Sequence, residues 1–273
     1  MAAQVTCALA EDIGSGDVTA RLVAVGQKVR GRITTREDAV LCGTAWAEES
    51  FRRLDPTVRL TWHAHDGDRV KAGALLLEID GTARAVLSAE RTALNFLQTL
   101  SGTATAARRY VEAIAGSGCT ILDTRKTLPG LRTAQKYAVR CGGAQNHRIG
   151  LFDMYLIKEN HIAAAGSLAE AVALARRHSP KLKVEVEVES LEEFAEALGA
   201  QPDIIMLDDF IEADLAAAVA RNRAHARPVK LEASGGVSLE TVMRTARTGV
   251  DYISIGALTK HVHAIDLSLR LDF

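Results

Sequence analysis

From Thr120 to its end the chain repeats one unit, a short β-branched run followed by an Ala-rich amphipathic stretch. The runs are Thr120 to Leu122, Met154 to Lys158, Lys183 to Val188, Asp203 to Leu207, Val229 to Ala233 and Tyr252 to Ile255. Between them lie Ala134 to Cys141, Leu168 to Arg177, Leu191 to Leu198, Ala213 to Arg221 and Leu239 to Thr248, with Gly199, Gly249 and Pro180 as predicted helix stops. Strand-length runs alternating with helical ones predict βα units and a parallel sheet. Six units fall short of the eight that close a full barrel, so the spacing predicts an open, incomplete α/β barrel whose lumen needs a cover.

The first third is organised differently and supplies a candidate cover. Strand-like segments at Arg30 to Arg36, Ala39 to Cys42, Val58 to His63 and Ala74 to Ile79 precede a helical stretch from Ser88 to Leu100. Turns are signalled at Asp66-Gly67 and Asp80-Gly81, and the region reads as a separate α+β domain. The segment Asp66 to Leu76 resembles the hammerhead turn of lipoyl and biotinyl carrier domains. No short hydrophobic motif surrounds a lysine there, so the likeness implies a shared turn and no attached group.

The predicted strands of the repeat end in chemistry. Thr120-Ile121-Leu122 runs into Asp123-Thr124-Arg125-Lys126-Thr127, Met154 to Ile157 runs into Lys158-Glu159-Asn160-His161, and Asn146-His147-Arg148 lies between. Binding groups converge at the carboxyl ends of strands in such folds, so this density of cations predicts a small ligand with several negative charges. The formal net charge of -1 leaves no global field to draw the chain to nucleic acid or an anionic membrane, so anion binding must be local. No secretory signal opens the sequence and no run is long enough to span a bilayer, which predicts a cytoplasmic protein. Cys7, Cys42, Cys119 and Cys141 are widely spaced with no CxxC, so reduced, mostly buried thiols are expected rather than a zinc site or a disulfide framework.

Alternation along the strands assigns faces. Val184-Glu185-Val186-Glu187-Val188-Glu189 puts valines on one side and glutamates on the other. The outer face of a barrel packs on helices and must be apolar, which turns the glutamates toward the lumen. Asp208 ends its strand in the same way, Lys230, Glu232 and Ser234 alternate with Val229, Leu231 and Ala233, and Ser254 with Ile253 and Ile255. A charge left unpaired there costs several kcal/mol. Structural ion pairs are therefore expected for Glu185, Lys230 and Glu232 near the floor, whereas Glu187 and Asp208 approach the ligand end. Ser234-Gly235-Gly236 and Ser254-Ile255-Gly256 form paired glycine loops after the last two strands. Their amides, with the following helix N-termini, predict a phosphate site.

Together, Thr124 to Arg132, Gly142 to Leu151 and Leu156 to His161 resemble the quinolinate phosphoribosyltransferase (nicotinate-nucleotide pyrophosphorylase) family. The likeness starts at Leu9 to Thr19, passes through Glu90 to Asn95, Glu185 to Glu187 and Leu207 to Asp209, and ends in Gly256 to Thr259. It implies transfer of phosphoribose from phosphoribosyl pyrophosphate to quinolinate with loss of carbon dioxide, aided by Mg2+. The implied fold is an N-terminal α/β sandwich, residues 1–105, and a C-terminal open α/β barrel, residues 106–273. A homodimer with shared active sites follows, each sandwich capping the partner's barrel, with a hexamer as a further assembly. By the same resemblance Arg125, His147, Arg148 and Lys158 hold the diacid, with Thr124 beside them and Arg91 reaching in from the other subunit. Lys126 holds pyrophosphate, Glu187 and Asp208 face the ribose and Mg2+, and Ser234, Gly235, Gly236, Ser254 and Gly256 cradle the 5-phosphate. Many family members carry His where Lys260 stands, which leaves the roles of Lys260 and His261 open. Two other readings remain: a related molybdenum-cluster protein that shares the Thr-Arg-Lys-Thr motif, and a non-catalytic barrel that binds a phosphate ligand.

Overall fold

The computed structural model describes residues 1–273 and divides into two compact units. One unit comprises Met1–Arg108, Thr127–Gly143 and Leu258–Phe273; the other comprises Arg109–Lys126 and Ala144–Ala257.

In the first unit, α1 (Ala2–Ile13) precedes β1 (Lys28–Thr35), β2 (Ala39–Val40), α2 (Thr44–Leu54), β3 (Arg59–Trp62), β4 (Arg69–Val70) and β5 (Leu75–Thr82). The long helix α3 (Ala83–Ala113) follows. Strand β1 shows why a sheet forms: Val29, Gly31, Ile33 and Thr35 are buried, while Lys28, Arg30 and Arg32 between them face solvent. Its buried face packs with Phe51 of α2, Leu76, Leu77 and Ile79 of β5, and Val86, Ala93, Leu94 and Leu97 of α3. Each large side chain so buried is worth about 1.5–3 kcal/mol, which makes this sheet-on-helix layer the core of the unit. A second core joins Val5 and Leu9 of α1, Trp46 of α2, Phe96 and Leu100 of α3, and Ala134 and Ala138 of a later helix.

The second unit is a six-stranded parallel sheet, β6 (Thr120–Leu122), β7 (Tyr155–Ile157), β8 (Val184–Val188), β9 (Ile204–Asp208), β10 (Lys230–Ser234) and β11 (Tyr252–Ser254). Its helices are α5 (Glu159–Ala165), α6 (Leu168–His178), α7 (Leu191–Ala200), α8 (Glu212–Ala224) and α9 (Val242–Arg247); α4 (Arg132–Cys141) belongs to the first unit. Spatial order is β6-β11-β10-β9-β8-β7, so consecutive strands are neighbours until β6 closes up beside β11. No ladder joins β6 to β7, which is the seam of the expected open barrel. Each predicted strand of the repeat lies within one residue of its observed position.

The C-terminal tail departs from the expected division at residue 105. After α10 (Ala257–Lys260) the chain returns to the first unit, where β12 (Leu267–Asp272) pairs antiparallel with β1 from Arg30↔Asp272 to Thr35↔Leu267. Leu267, Leu269 and Leu271 pack against that unit's core, so this strand was needed to complete its sheet. Helix α7 runs past the predicted stop at Gly199 to Ala200, and it is Gln201, in the left-handed region at φ 55°, that ends it.

Candidate active site

Asp123 organises the carboxyl end of β6. Its carboxylate is fully buried and accepts hydrogen bonds from Asn146 Nδ2 at 2.6 Å and from the backbone N–H of His147 at 2.9 Å. Gln145 pairs with Ile121 and Asp123 through backbone bonds of 2.9 and 3.1 Å. The strip 145–147 thus runs beside β6 along the open seam. Thr124 Oγ1 accepts from the Lys126 N–H at 3.0 Å and shapes the turn that presents Arg125 and Lys126.

Thr124, Arg125, Lys126, His147, Arg148, Lys158, Glu187, Asp208, Ser234 and Ser254, ten of the predicted residues, line one cavity of about 390 Å³. Leu156, Met206 and Glu232 complete the wall. A cavity of about 640 Å³ is larger, but its Arg176 and Lys230 are held by Asp203 and Asp251 at 3.2 and 2.6 Å. Chemistry, not size, singles out the smaller one.

Its charges are unequal in a useful way. Arg125 and Arg148 lie close enough that Arg148 is held below the ordinary guanidinium range, first by burial and then by the Arg125 charge. Arg148 Nη1 reaches only the carbonyl of Met154, at 3.5 Å. Two like-charged planar forks held together form a receptor for carboxylates. Lys158 Nζ donates to Glu187, 2.6 Å from Oε1 and in contact with Oε2 as well. Asp208, half-buried at the end of β9, has no such ion pair. The Lys158 and Glu187 roles predicted separately are therefore linked before any substrate arrives.

His147 stands where the cavity meets the buried glutamates. Its Nδ1 accepts the Arg148 N–H at 2.8 Å, which leaves the proton on Nε2, 2.8 Å from Glu185 Oε2 and 3.5 Å from Glu232 Oε2. Its side chain is only 7 % exposed yet lines the cavity, so the ring stands between the two buried glutamates and the space a ligand would take. Glu185 and Glu232 are both fully buried, and the cationic partner that the expected ion pairs bring to them is His147. Lys230 instead lies exposed at the start of β10 on Asp251. Burial pushes Glu185 up to about 7 and, with the Glu185 charge, Glu232 up to about 8, so the two carboxyls hold a proton between them near neutrality.

That proton sets a pH dependence. Glutamate ordinarily ionises near 4.5, so between pH 4.5 and about 8 the folded state binds more protons than the unfolded one. Stability is then full at the acid side of this window and is lost as pH rises through the folded values. The melting temperature is expected to fall between pH 6 and 8.5 in scanning calorimetry, and Glu232→Gln to flatten that slope. An unchanged slope in the variant would assign it to other groups.

The glycine loops depart from prediction in one respect. Gly235 has φ 95° and a Cβ there would meet Asp209 Oδ1 at 2.0 Å, and a Cβ at Gly256 would meet Lys126 Cδ at 3.0 Å. Gly235 excludes a side chain, whereas at Gly256 the Lys126 side chain would have to shift. Yet α9 begins only at Val242 and α10 is four residues long, so loop amides rather than helix ends supply what donors this region has. Gly235 and Gly236 line an adjoining hollow of about 230 Å³ with Asp209 and Arg244. Arg91 is an exposed residue of α3 in the first unit and is not among the cavity's lining residues. His161, part of the predicted motif, folds back so that its Nδ1 accepts the Lys158 N–H at 3.0 Å and caps α5.

Known proteins match nearly the whole chain. The profile described as "Quinolinate phosphoribosyl transferase, N-terminal domain" matches residues 17–101, and that of the C-terminal domain matches residues 103–270. Nicotinate-nucleotide pyrophosphorylase [carboxylating] of Mycobacterium leprae is 44% identical over 97% of this chain and 94% of its own. A probable enzyme of the same name from Bacillus subtilis is 42% identical over 95% of this chain and 89% of its own. The solved nicotinate-nucleotide pyrophosphorylase of Francisella tularensis superposes with a TM-score of 0.93 at 48% identity, covering 98% of this chain and 94% of that one.

Proposed function

The chain belongs to the quinolinate phosphoribosyltransferase family, and from that membership we propose that it makes nicotinate mononucleotide, pyrophosphate and carbon dioxide from quinolinate and phosphoribosyl pyrophosphate, a step of NAD biosynthesis. The observation that carries this reading is the single cavity in which Arg125, Arg148, Lys126 and Lys158 face Glu187 and Asp208. A planar diacid needs the cations; a sugar carbon turning cationic needs the carboxylates.

Arg125 and Arg148 bind the two ring carboxylates as forks, with Lys158 beside them. The pyridine nitrogen is itself the nucleophile, so no general base is called for. It forms the bond to C1 of the ribose as the bond from C1 to pyrophosphate breaks, and the pyrophosphate leaves toward Lys126. Glu187 and Asp208 stabilise the charge that develops at C1, as carboxylates do in glycosyl transfer. The bond from C2 to its carboxylate then breaks and carbon dioxide departs; the electron pair stays on C2, stabilised by the adjacent cationic ring nitrogen, and takes up a proton from solvent. The walls formed by Leu156 and Met206 hold the ring and limit water. Ser234, Ser254 and the amides of Gly235, Gly236 and Gly256 take the 5-phosphate.

Mg2+ fits the donors, since Glu187 and Asp208 offer hard carboxylate oxygens on one cavity and Asp208 is free of an ion pair. Glu187 and Asp208 would hold it, and the chemistry it would supply there is charge neutralisation for a departing pyrophosphate. Purified protein with both substrates and Mg2+ is expected to release carbon dioxide from the 2-carboxylate and form nicotinate mononucleotide, while nicotinate does not replace quinolinate. Phosphoribosyl transfer without carbon dioxide release would overturn the assignment.

The working unit in this reading is a cytoplasmic homodimer, with a hexamer as a further assembly of dimers; no helix is long and apolar enough to cross a membrane. Arg91 belongs to the partner's site, consistent with its exposure on α3. Arg91→Ala and Glu187→Gln, each nearly inactive alone, are expected to regain activity when subunits are mixed, up to about a quarter of wild type from statistical pairing. Mixed samples no more active than their components would place Arg91 outside a shared site.

A further inference from the structure

Two cysteines that are far apart in sequence come together in the first unit, and neither has a part in the reaction above. Cys42 follows β2, Cys141 ends α4, and Asp66 sits in the turn before β4. Their sulfur and carboxylate donor atoms all lie within 4.8 Å of one another. We propose that Cys42, Cys141 and Asp66 form a binding site for a zinc-class divalent cation.

The surroundings hold each donor in place. Ser101 Oγ accepts the Cys42 N–H at 2.9 Å and donates to the Cys42 carbonyl at 3.1 Å, which clamps a fully buried thiol on α3. Tyr137, one helical turn before Cys141 and so on the same face of α4, donates its hydroxyl to Asp66 Oδ2 at 2.8 Å. The Thr44 N–H donates to the other oxygen, Oδ1, at 3.1 Å. Metal-binding carboxylates are commonly steadied by such bonds, which leave lone pairs for the ion. Around a tetrahedral zinc, sulfurs at ~2.3 Å from the metal stand roughly 3.8 Å apart, inside the observed limit. Thiolates select a borderline or soft ion over Mg2+, so this site does not compete for the cation of the active site. Cys141 and Asp66 are half-exposed, which leaves an entry path and a fourth position for water.

The ligands span residues 42 to 141, so one ion ties the end of β2, the turn before β4 and the end of α4 together. Bound metal stabilises whatever fold presents the site. The test is an anaerobic titration of the reduced, full-length protein with Co2+. Thiolate-to-metal charge-transfer absorption should saturate near one equivalent, yield to Zn2+, and accompany a rise in melting temperature. Cys141→Ser and Asp66→Asn should each weaken binding at least tenfold, while Cys7→Ser and Cys119→Ser leave it unchanged; Cys42→Ser is avoided as the principal variant because the buried thiol also fills the core. The proposal fails if no charge-transfer band appears, if the band survives Cys141→Ser, or if it depends on Cys7 or Cys119. It fails too if the two sulfurs prove only to form a disulfide and take up no metal after reduction.

Discussion

Replacing Arg148 by alanine is expected to lower kcat/KM for quinolinate by two to three orders of magnitude while leaving the KM for phosphoribosyl pyrophosphate nearly unmoved. Truncating one partner of a buried, hydrogen-bonded charge pair costs about 2–5 kcal/mol, and each 1.4 kcal/mol is a factor of ten. Arg148 is half-buried, and burial first, then the repulsion of the neighbouring Arg125 charge, holds it below the ordinary guanidinium range. Binding a dianion relieves that repulsion, so the loss on truncation falls on the diacid rather than on the sugar phosphate. Arg148→Lys should recover the charge without the fork and therefore only part of the rate. Equal effects on both substrates, measured by initial rates with each varied in turn, would contradict the division of the cavity into a diacid end and a phosphoribosyl end.

Much of this cavity was legible in the sequence because strands announce themselves by period and their carboxyl ends by charge. Thr124 to Lys126, Arg148, Lys158, Glu187 and Asp208 were all placed by that reasoning, and ten predicted residues meet on one wall. What was not legible shares a cause. Glu185, Lys230 and Glu232 were read from alternation as structural ion pairs without named partners; which group meets which depends on the depth of each along its strand. Lys230 starts β10 and escapes to solvent, whereas Glu232, two residues later, is fully buried. The fold shows the same limit. β12 was missed because Leu267 to Asp272 is a short run at the chain's end, and its place is set by pairing with β1 more than 230 residues earlier. Cys42 and Cys141 likewise meet only through the tertiary fold.

The Lys158–Glu187 pair yields the second large effect. Glu187→Gln is expected to reduce kcat by about 10²–10³, the usual cost of removing one group aimed at developing charge. Its effect on quinolinate affinity should have the opposite sign. Lys158 Nζ lies 2.6 Å from Glu187 Oε1, so the carboxylate and the substrate diacid compete for one ammonium group. Glutamine keeps the shape but gives up the ion pair, which frees Lys158 for the substrate; the KM for quinolinate is expected to hold steady or fall as kcat collapses. Lys158→Met should do the reverse at the binding step, raising KM and leaving Glu187 without its partner. Because each group acts partly through the other, the double variant is expected to lose much less than the product of the single losses. A cycle of kcat and KM over the four proteins decides the matter, and strictly multiplicative losses would mean that the pair seen in the structure dissolves before the reaction begins. The pair is then best understood as a way of keeping a cation and an anion, needed by different ends of the reaction, in one small cavity without leaving either uncompensated when the cavity lacks substrate.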